Sequence, residues 1–200
     1  MKPNAILLIG PTGSGKTPIG DLCQKQGLQK KNCFHFDFGE NLRRAAEYGF
    51  QEEILSSEEV LFIQKVLQEN LLLENETFFI AEKIFRAFAG ENEIEEDDLV
   101  ILNGLPRHIG QADDADRMVN IQTVVVLECT PETVLKRIRL NSGGDRSERK
   151  DDSLAEIQNK LKIYDTRTRP LVQYFATRQV PVKPIRVEVH TTALEVLEKL

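Results

Sequence analysis

The chain has 200 residues, enough for one domain with a sizeable hydrophobic core. A net charge of −6 argues against a general affinity for nucleic acid, and no apolar run approaches the roughly 20 residues that a bilayer crossing needs. The N-terminus shows no signal-peptide pattern, and the three cysteines match no metal-binding spacing. We therefore expect a cytoplasmic protein with reduced thiols, without a membrane or nucleic-acid partner.

Short apolar runs rich in β-branched residues predict five buried strands. They lie at residues 5–9, 33–37, 99–103, 123–128 and 185–189. Segments with helical spacing separate them, and this alternation predicts an α/β fold with a parallel sheet covered by helices on both faces. Two segments interrupt the pattern. Residues 58–96 predict two helices, roughly 58–70 and 76–89, followed by an acidic loop, and residues 141–152 are polar and contain glycine.

The residues GPTGSGKT at positions 10–17 match the phosphate-binding pattern G-x-x-x-x-G-K-[ST] between a predicted strand and an amphipathic helix. Glycines let such a loop point its backbone N–H groups at phosphate oxygens, at the positive end of the helix. The residues predicted to bind ATP are Gly10, Gly13, Ser14, Gly15, Lys16 and Thr17. Lys16 would reach the β- and γ-phosphates, and the Thr17 hydroxyl would ligate Mg²⁺. The motif predicts a fold of the P-loop NTPase type.

Three further motifs follow the predicted strands in order. They are FGENLRRAA from Phe38, NGLPRHIGQAD from Asn103 and RSERKDD from Arg146. With the phosphate loop, they resemble the T-G-D-x-L-R, D-G-F-P-R-x-x-x-Q and G-R-x-D-D motifs of the adenylate kinase and nucleoside monophosphate kinase family. The resemblance covers nearly the whole chain. It implies one kinase domain over 1–200, with an acceptor lobe at 38–96 and a lid at 137–152.

The resemblance implies an acceptor site for a nucleoside monophosphate, with AMP favoured. Arg43 and Arg107 would clamp the acceptor phosphate, a role that suits the planar guanidinium fork. Gln111 stands where the family reads the adenine edge of AMP. The implied acceptor residues are Phe38, Gly39, Arg43, Gly104, Arg107 and Gln111. A monophosphate offers an already ionised oxygen, since its second pKa is about 6, so no general base is required.

On the ATP side, the resemblance places Arg137 over the base, and Arg146 and Arg149 on the phosphates when the lid closes. The implied catalytic residues are Lys16, Arg107, Arg146 and Arg149, and the implied metal-site residues are Thr17, Asp37 and Asn103. The expected cofactors are ATP and Mg²⁺, and the expected state is a monomer or a small homo-oligomer.

The sequence departs from the family pattern at four places. Phe38 replaces a threonine of the acceptor-base pocket, Asn103 replaces an aspartate near the metal, and Lys160 replaces a lid-facing arginine. Residues 58–96 exceed the family's acceptor lobe by about a dozen residues. The apolar stripe on the predicted 76–89 helix is interpreted as packing, with a dimer face as the alternative. Asp37 or Glu40 could supply the negative charge that Asn103 lacks.

Two other functions stay open. Kinases of the shikimate or gluconate type carry the same unmodified G-K-[ST] and need a carboxylate to deprotonate a hydroxyl acceptor. Asp37 could be that base, although a capping or metal-shell role is the preferred interpretation. A nucleotide-binding protein with weak catalysis is the other alternative, indicated by Asn103 and Lys160.

Overall fold

The structure, a computed structural model, describes residues 2–48, 54–69, 71–146 and 153–200. The strands are β1 (Asn4–Ile9), β2 (Cys33–Asp37), β3 (Leu99–Asn103), β4 (Asn120–Glu128) and β5 (Val182–Arg186). The helices are α1 (Lys16–Gln26), α2 (Phe38–Tyr48), α3 (Ser57–Gln68), α4 (Phe78–Glu91), α5 (Ala112–Met118), α6 (Pro131–Leu140), α7 (Leu154–Ile163), α8 (Pro170–Thr177) and α9 (Ala193–Leu197). Short 3₁₀ turns lie at Asn75–Thr77 and Ile109–Gln111, and a π-helical turn at Tyr164–Thr168.

The strands form one parallel sheet in the order β2-β3-β1-β4-β5. The chain leaves β1 towards β2 on one side and later reaches β4 on the other, so the strand order reverses at β1. In open parallel sheets, ligands bind beyond the carboxyl ends of the strands at this reversal. The loop after β1 therefore occupies the position at which a site is expected.

The strands are buried on both faces because their side chains alternate between two cores. In β1, Ala5, Leu7 and Ile9 belong to the core under α2, α4 and α8, while Ile6 and Leu8 pack with α1 and α9. This two-sided burial explains why the strand sequences read as continuous apolar runs. It confirms the predicted α/β fold with helices on both faces.

The observed β1, β2 and β3 agree with the predicted strands to within one residue, whereas β4 begins three residues before the predicted 123–128 and β5 is shifted. This strand runs over Val182–Arg186, whereas the sequence predicted 185–189. β5 lies at the edge of the sheet beside β4, and an edge strand tolerates Pro184 and exposed polar residues that a central strand would exclude. Its sequence therefore has a weak strand signal.

The segment between β2 and β3 contains the two additional helices that the sequence predicted. A capping box starts α3, in which Ser56 Oγ accepts from the Glu59 N–H and the Glu59 carboxylate accepts from the Ser56 N–H. In α4 the apolar stripe is buried, with Phe36 of β2 packing against the rings of Phe85 and Phe88, whereas Phe79 is 46% exposed. Packing therefore accounts for the stripe apart from Phe79.

None of the helices within the described ranges is long and apolar enough to span a bilayer.

Candidate active site

The loop between β1 and α1 has the backbone geometry that a phosphate cradle needs. Gly15, the residue directly before α1, has a φ of 97°, a left-handed conformation that residues with a side chain strongly disfavour. A Cβ atom at Gly10 would lie 2.7 Å from Ser14 Oγ and 2.9 Å from the Leu127 side chain, so only glycine fits there. The glycines thus permit the tight turn that brings the helix N-terminus next to the end of β1.

Polar groups of the loop are positioned for an anionic ligand. The Lys16 ammonium donates to the carbonyls of Gly10 and Pro11, at 2.7 and 2.8 Å, so it lies folded along the loop. The Ser14 hydroxyl is buried and has no hydrogen-bond partner among the described residues. A buried hydroxyl without a partner carries a free-energy cost, which a phosphate oxygen could offset.

Three oxygen-bearing side chains meet beside this loop, at the start of α1 and the ends of β2 and β3. Asp37 Oδ2 accepts from Thr17 Oγ1 at 2.8 Å and from Asn103 Nδ2 at 2.7 Å. Asn103 Nδ2 also lies 3.2 Å from Thr17 Oγ1. The trio predicted to form the metal site is therefore one hydrogen-bonded cluster carrying a single carboxylate.

Two arginines share a cavity of about 250 Å³ with the loop. Arg43 lies on α2 and Arg107 follows β3, and both line this cavity together with Lys16 and Thr17. Within the described ranges, neither guanidinium has a carboxylate within 4 Å. The cavity thus offers positive charge from two sides, and the Asp37 carboxylate also belongs to its lining.

Burial lowers the pKa of Arg107, and the Asp37 carboxylate opposes this shift. The guanidinium has lost hydration, and the Asp37 carboxylate compensates for that loss only in part. A phosphate in the cavity would restore that stabilisation through charge-assisted hydrogen bonds.

Comparison with known proteins agrees with this geometry. A family model described as an AAA domain matches residues 6–159. The chain is 29% identical to an adenylate kinase of Synechococcus sp. (strain WH7803), covering 95% of this chain and 96% of the relative. It is 30% identical to an adenylate kinase of Prochlorococcus marinus (strain MIT 9211), covering 89% and 86%. The chain belongs to the adenylate kinase-like P-loop kinases.

A kinase of this family is a nucleotide-binding transferase. A solved kinase structure has a similar fold. A gluconokinase from Sinorhizobium meliloti 1021 superposes with a TM-score of 0.52, covering 98% of this chain and 89% of the other. The two sequences are 15% identical, so this likeness concerns the fold alone.

Arg137 of this P-loop kinase makes contacts that the resemblance did not imply. Its side chain is buried, and Nε donates to the Gly13 carbonyl at 2.9 Å. Nη1 donates to the carbonyls of Glu188, Val189 and Thr191 at 2.7, 3.2 and 3.0 Å. The guanidinium therefore ties the phosphate loop to the segment after β5, and a contact of Arg137 with the ATP base stays a prediction.

The first part of the predicted lid also contacts the phosphate loop. Arg146 is 9% exposed, and its Nη2 donates to Thr12 Oγ1 at 3.1 Å. The Arg146 N–H donates to the Asn141 side-chain oxygen at 3.1 Å, which fixes the backbone after α6. Arg149 lies outside the described residues, so the structure places one of the two lid arginines at the loop.

The remaining predicted acceptor residues line the same cavity. Phe38, Gly39, Gly104 and Gln111 all face it. The Phe38 ring is largely buried, and Gly104 has a φ of 84° where the chain turns away from β3. Gln111 is 1% exposed; its Oε1 accepts from the Arg107 N–H at 2.8 Å, and its Nε2 donates to the Leu73 carbonyl at 2.7 Å.

His35 lies buried behind the site, next to Asn103, and is missing from the sequence prediction. Its Nδ1 lies 2.8 Å from Asp21 Oδ1 on α1, and its Nε2 lies 3.4 Å from Asn103 Nδ2. A Cβ atom on Gly20 would lie 2.2 Å from the imidazole, so the glycine makes room for the ring. Side chains two residues apart in a strand lie on the same face of the sheet, so His35 lies on the face of Asp37. This spacing could have identified His35 from the sequence.

A second contact that no sequence pattern indicated joins distant parts of the chain. Arg167, in the π-helical turn, donates to both carboxylate oxygens of Glu74 at 3.1 and 2.8 Å. The Arg167 hydrogen bonds lower the pKa of the Glu74 carboxyl. This pair fastens the segment before α4 to the turn that precedes α8.

Proposed function

We propose that this kinase transfers the γ-phosphoryl group of ATP to a nucleoside monophosphate, with AMP as the favoured acceptor. The observation that carries the proposal is the single cavity lined by both the phosphate loop and the arginines Arg43 and Arg107. The two relatives named above, at 29% and 30% identity, are adenylate kinases. Their names support AMP as the acceptor.

The residues present suit such a transfer because the acceptor oxygen is already ionised. Arg43 and Arg107 would orient the acceptor phosphate, while Lys16 and the loop N–H groups hold the phosphates of ATP. Catalysis then rests on in-line placement and on stabilising the charge of the moving phosphoryl group. Arg146, already at the loop, would add positive charge from the lid side.

Mg²⁺, when bound, would neutralise charge on the transferring phosphoryl group. Oxygen ligands suit this ion, and the hydroxyl of Thr17 and the carboxylate of Asp37 would provide them. The Asn103 carboxamide, whose nitrogen faces both groups, would add its oxygen after turning over. Among the described residues, no three His, Cys, Asp or Glu side chains gather as a metal-binding group. The ion would therefore depend on this cluster and on ATP itself, as is usual for Mg²⁺ in phosphoryl transfer.

The same proposal assigns residues 38–96 to the acceptor lobe and 137–152 to a lid that excludes water, which otherwise would hydrolyse ATP. It also places the enzyme in the cytoplasm. The free, buried thiols of Cys23 and Cys33 support that location.

A kinase of small hydroxyl metabolites is the second candidate, because Asp37 lines the cavity and could act as a base. Its carboxylate already accepts from Thr17, from Asn103 and from the Glu40 N–H at 3.1 Å. These bonds occupy lone pairs that a general base would direct at its acceptor, which favours the nucleotide proposal.

ADP release from ATP, followed with each candidate acceptor in turn, tests the proposal. We expect turnover with AMP, weaker turnover with other monophosphates, and none with shikimate, gluconate or water alone. Turnover only with a hydroxyl metabolite would favour the Asp37 mechanism. Absence of turnover with every acceptor, together with measurable ATP binding, would favour a nucleotide-binding protein with weak catalysis.

A further inference from the structure

Glu74 and Arg167 form an ion pair that lies next to the cavity without lining it. Both terminal nitrogens of Arg167 donate to the Glu74 carboxylate, at 3.1 and 2.8 Å, so the two planar groups meet in a two-point contact. The two residues are 93 positions apart along the chain. Because neither side chain lines the cavity, any effect of the pair on a substrate must pass through neighbouring residues.

On the Glu74 side, the neighbouring residues form one wall of the cavity. Leu71, Leu72 and Leu73, the leucine wall, line the cavity directly before Glu74. The buried His108 ring places its Nε2 3.4 Å from the Leu73 carbonyl and 3.5 Å from the Glu74 carboxylate. A displacement of Glu74 would therefore move the end of the leucine wall.

On the Arg167 side, the next residue holds the backbone of Arg107. Thr168 Oγ1 donates to the Arg107 carbonyl at 2.8 Å, and Thr168 itself lines the cavity. Both Arg167 and Thr168 belong to the π-helical turn, a rare local structure that frequently lies at functional sites. Two successive residues of one turn thus hold the Arg107 backbone and, through Glu74, the leucine wall.

An exposed ion pair contributes little to stability on average, and these side chains are roughly half exposed. This pair differs from an ordinary surface pair in two respects. Its two-point geometry fixes the orientation of the two groups as well as their distance. It also joins two segments whose adjacent residues line the same cavity. We therefore expect its effect on substrate placement to exceed its effect on stability.

We propose that Glu74 and Arg167 are positioning residues, whose ion pair fixes the leucine wall relative to Arg107 and thereby strengthens acceptor binding. The inference rests on the proposed acceptor site. There Arg43 and Arg107 would hold the acceptor phosphate while the apolar wall contacts its base. An acceptor has to make both contacts at once, so a change in their spacing weakens its binding. The phosphate loop is independent of this spacing, and ATP binding should not respond to it.

Glu74→Gln and Arg167→Gln each remove the ion pair from one side. We expect the KM for AMP to rise by roughly 3- to 10-fold in each variant, with the KM for ATP unchanged within about twofold. The double variant should show no larger rise than either single one, because all three lack the same contact. Arg169→Gln is the matched control, since Arg169 lies two residues further on and pairs only with Asp165 of its own segment, at 3.4 Å. It should leave both KM values unchanged.

Amide hydrogen exchange in the wall gives a readout that is independent of turnover. The Leu71 N–H donates to the Val66 carbonyl at 2.9 Å, and the Glu74 N–H donates to Thr77 Oγ1 at 3.1 Å. Arg167→Gln leaves the sequence around these amides intact, so a faster exchange reports a looser wall. We expect both amides to exchange faster in Arg167→Gln than in the wild type or in the control variant.

If either variant fails to fold, Arg167→Lys replaces it with the same expectations, because lysine keeps the charge and loses the two-point contact. Three results would overturn the inference. They are KM values that rise equally for AMP and ATP or stay unchanged, effects of the two single substitutions that add in the double variant, and unchanged exchange in the wall. A wild-type enzyme that phosphorylates no monophosphate would defeat the proposed function, and the exchange experiment would still decide whether the pair fixes the wall.

Discussion

Asn103→Asp is the most informative single substitution because it places a second carboxylate against Asp37. In the wild type, Asn103 Nδ2 donates to Asp37 Oδ2 at 2.7 Å. The variant would replace this hydrogen bond with a contact between two negative charges. Two unit charges 4 Å apart repel by about 4 kcal/mol at the effective dielectric constant of 20 that suits protein sites. Protonating one of the two carboxylates would remove this repulsion at a similar free-energy cost, because keeping an ordinary aspartic acid of pKa about 3.9 protonated at pH 7 costs roughly 4 kcal/mol.

We therefore expect Asn103→Asp to be destabilised by about 4 kcal/mol at pH 7. For a chain of this length, that corresponds to a fall in Tm of roughly 8 to 16 °C. Thermal unfolding followed by circular dichroism measures it. Asn120→Asp is the matched control, because Asn120 is exposed and bonds to the uncharged amide of Asn4.

The swapped variant Asp37→Asn with Asn103→Asp restores one carboxylate and one amide, and should recover most of the lost stability. We also expect Asn103→Asp to turn over more slowly than the wild type at every Mg²⁺ concentration. An unchanged or raised Tm in Asn103→Asp, or a swapped variant as unstable as the single one, would refute the reasoning. Faster turnover in Asn103→Asp would instead show that Asn103 weakens the metal site.

Other substitutions test the remaining parts of the site. Lys16→Met should lower kcat by at least 100-fold while Tm changes by only a few degrees, and retention of wild-type turnover would remove Lys16 from the mechanism. Arg43→Lys and Arg107→Lys keep the positive charge but lose the planar guanidinium fork, so the KM for the acceptor should rise by roughly 10-fold or more while the KM for ATP stays unchanged. Equal effects on both substrates would contradict an acceptor clamp. Burial raises the pKa of Cys23 to about 12 and of Cys33 to about 11. Both thiols should therefore react with an aromatic disulfide reagent at pH 8 only after the protein unfolds, and rapid labelling of the native protein would count against their burial.

The sequence predicted the sheet and the phosphate loop because both are coded locally. Continuous apolar runs identified the strands with two buried faces, and the glycines of the loop are required by backbone geometry at fixed spacing. The β5 boundary was wrong because an edge strand carries Pro184 and exposed polar residues. Strand signals weaken where only one neighbour pairs and burial is partial.

Contacts between distant residues were less accessible to sequence reasoning. The cluster of Thr17, Asp37 and Asn103 was implied by the phosphate-loop motif and the family resemblance, and the structure brings the three side chains together. The backbone bonds of Arg137 and Gln111 could not, because their partners lie on loops whose path depends on tertiary packing. A motif gives the position of such a side chain in the sequence, but its hydrogen-bond partners come only from the fold.

Transfer of labelled phosphate tests the central claim most directly. The enzyme is incubated with ATP carrying ³²P at the γ-position, unlabelled AMP and Mg²⁺, and the products are separated before the reaction approaches equilibrium. We expect labelled ADP to appear at the rate at which ATP disappears, without labelled inorganic phosphate. Two results would contradict phosphoryl transfer to AMP. One is label that accumulates only as inorganic phosphate, and the other is label that remains in ATP although the enzyme binds nucleotide.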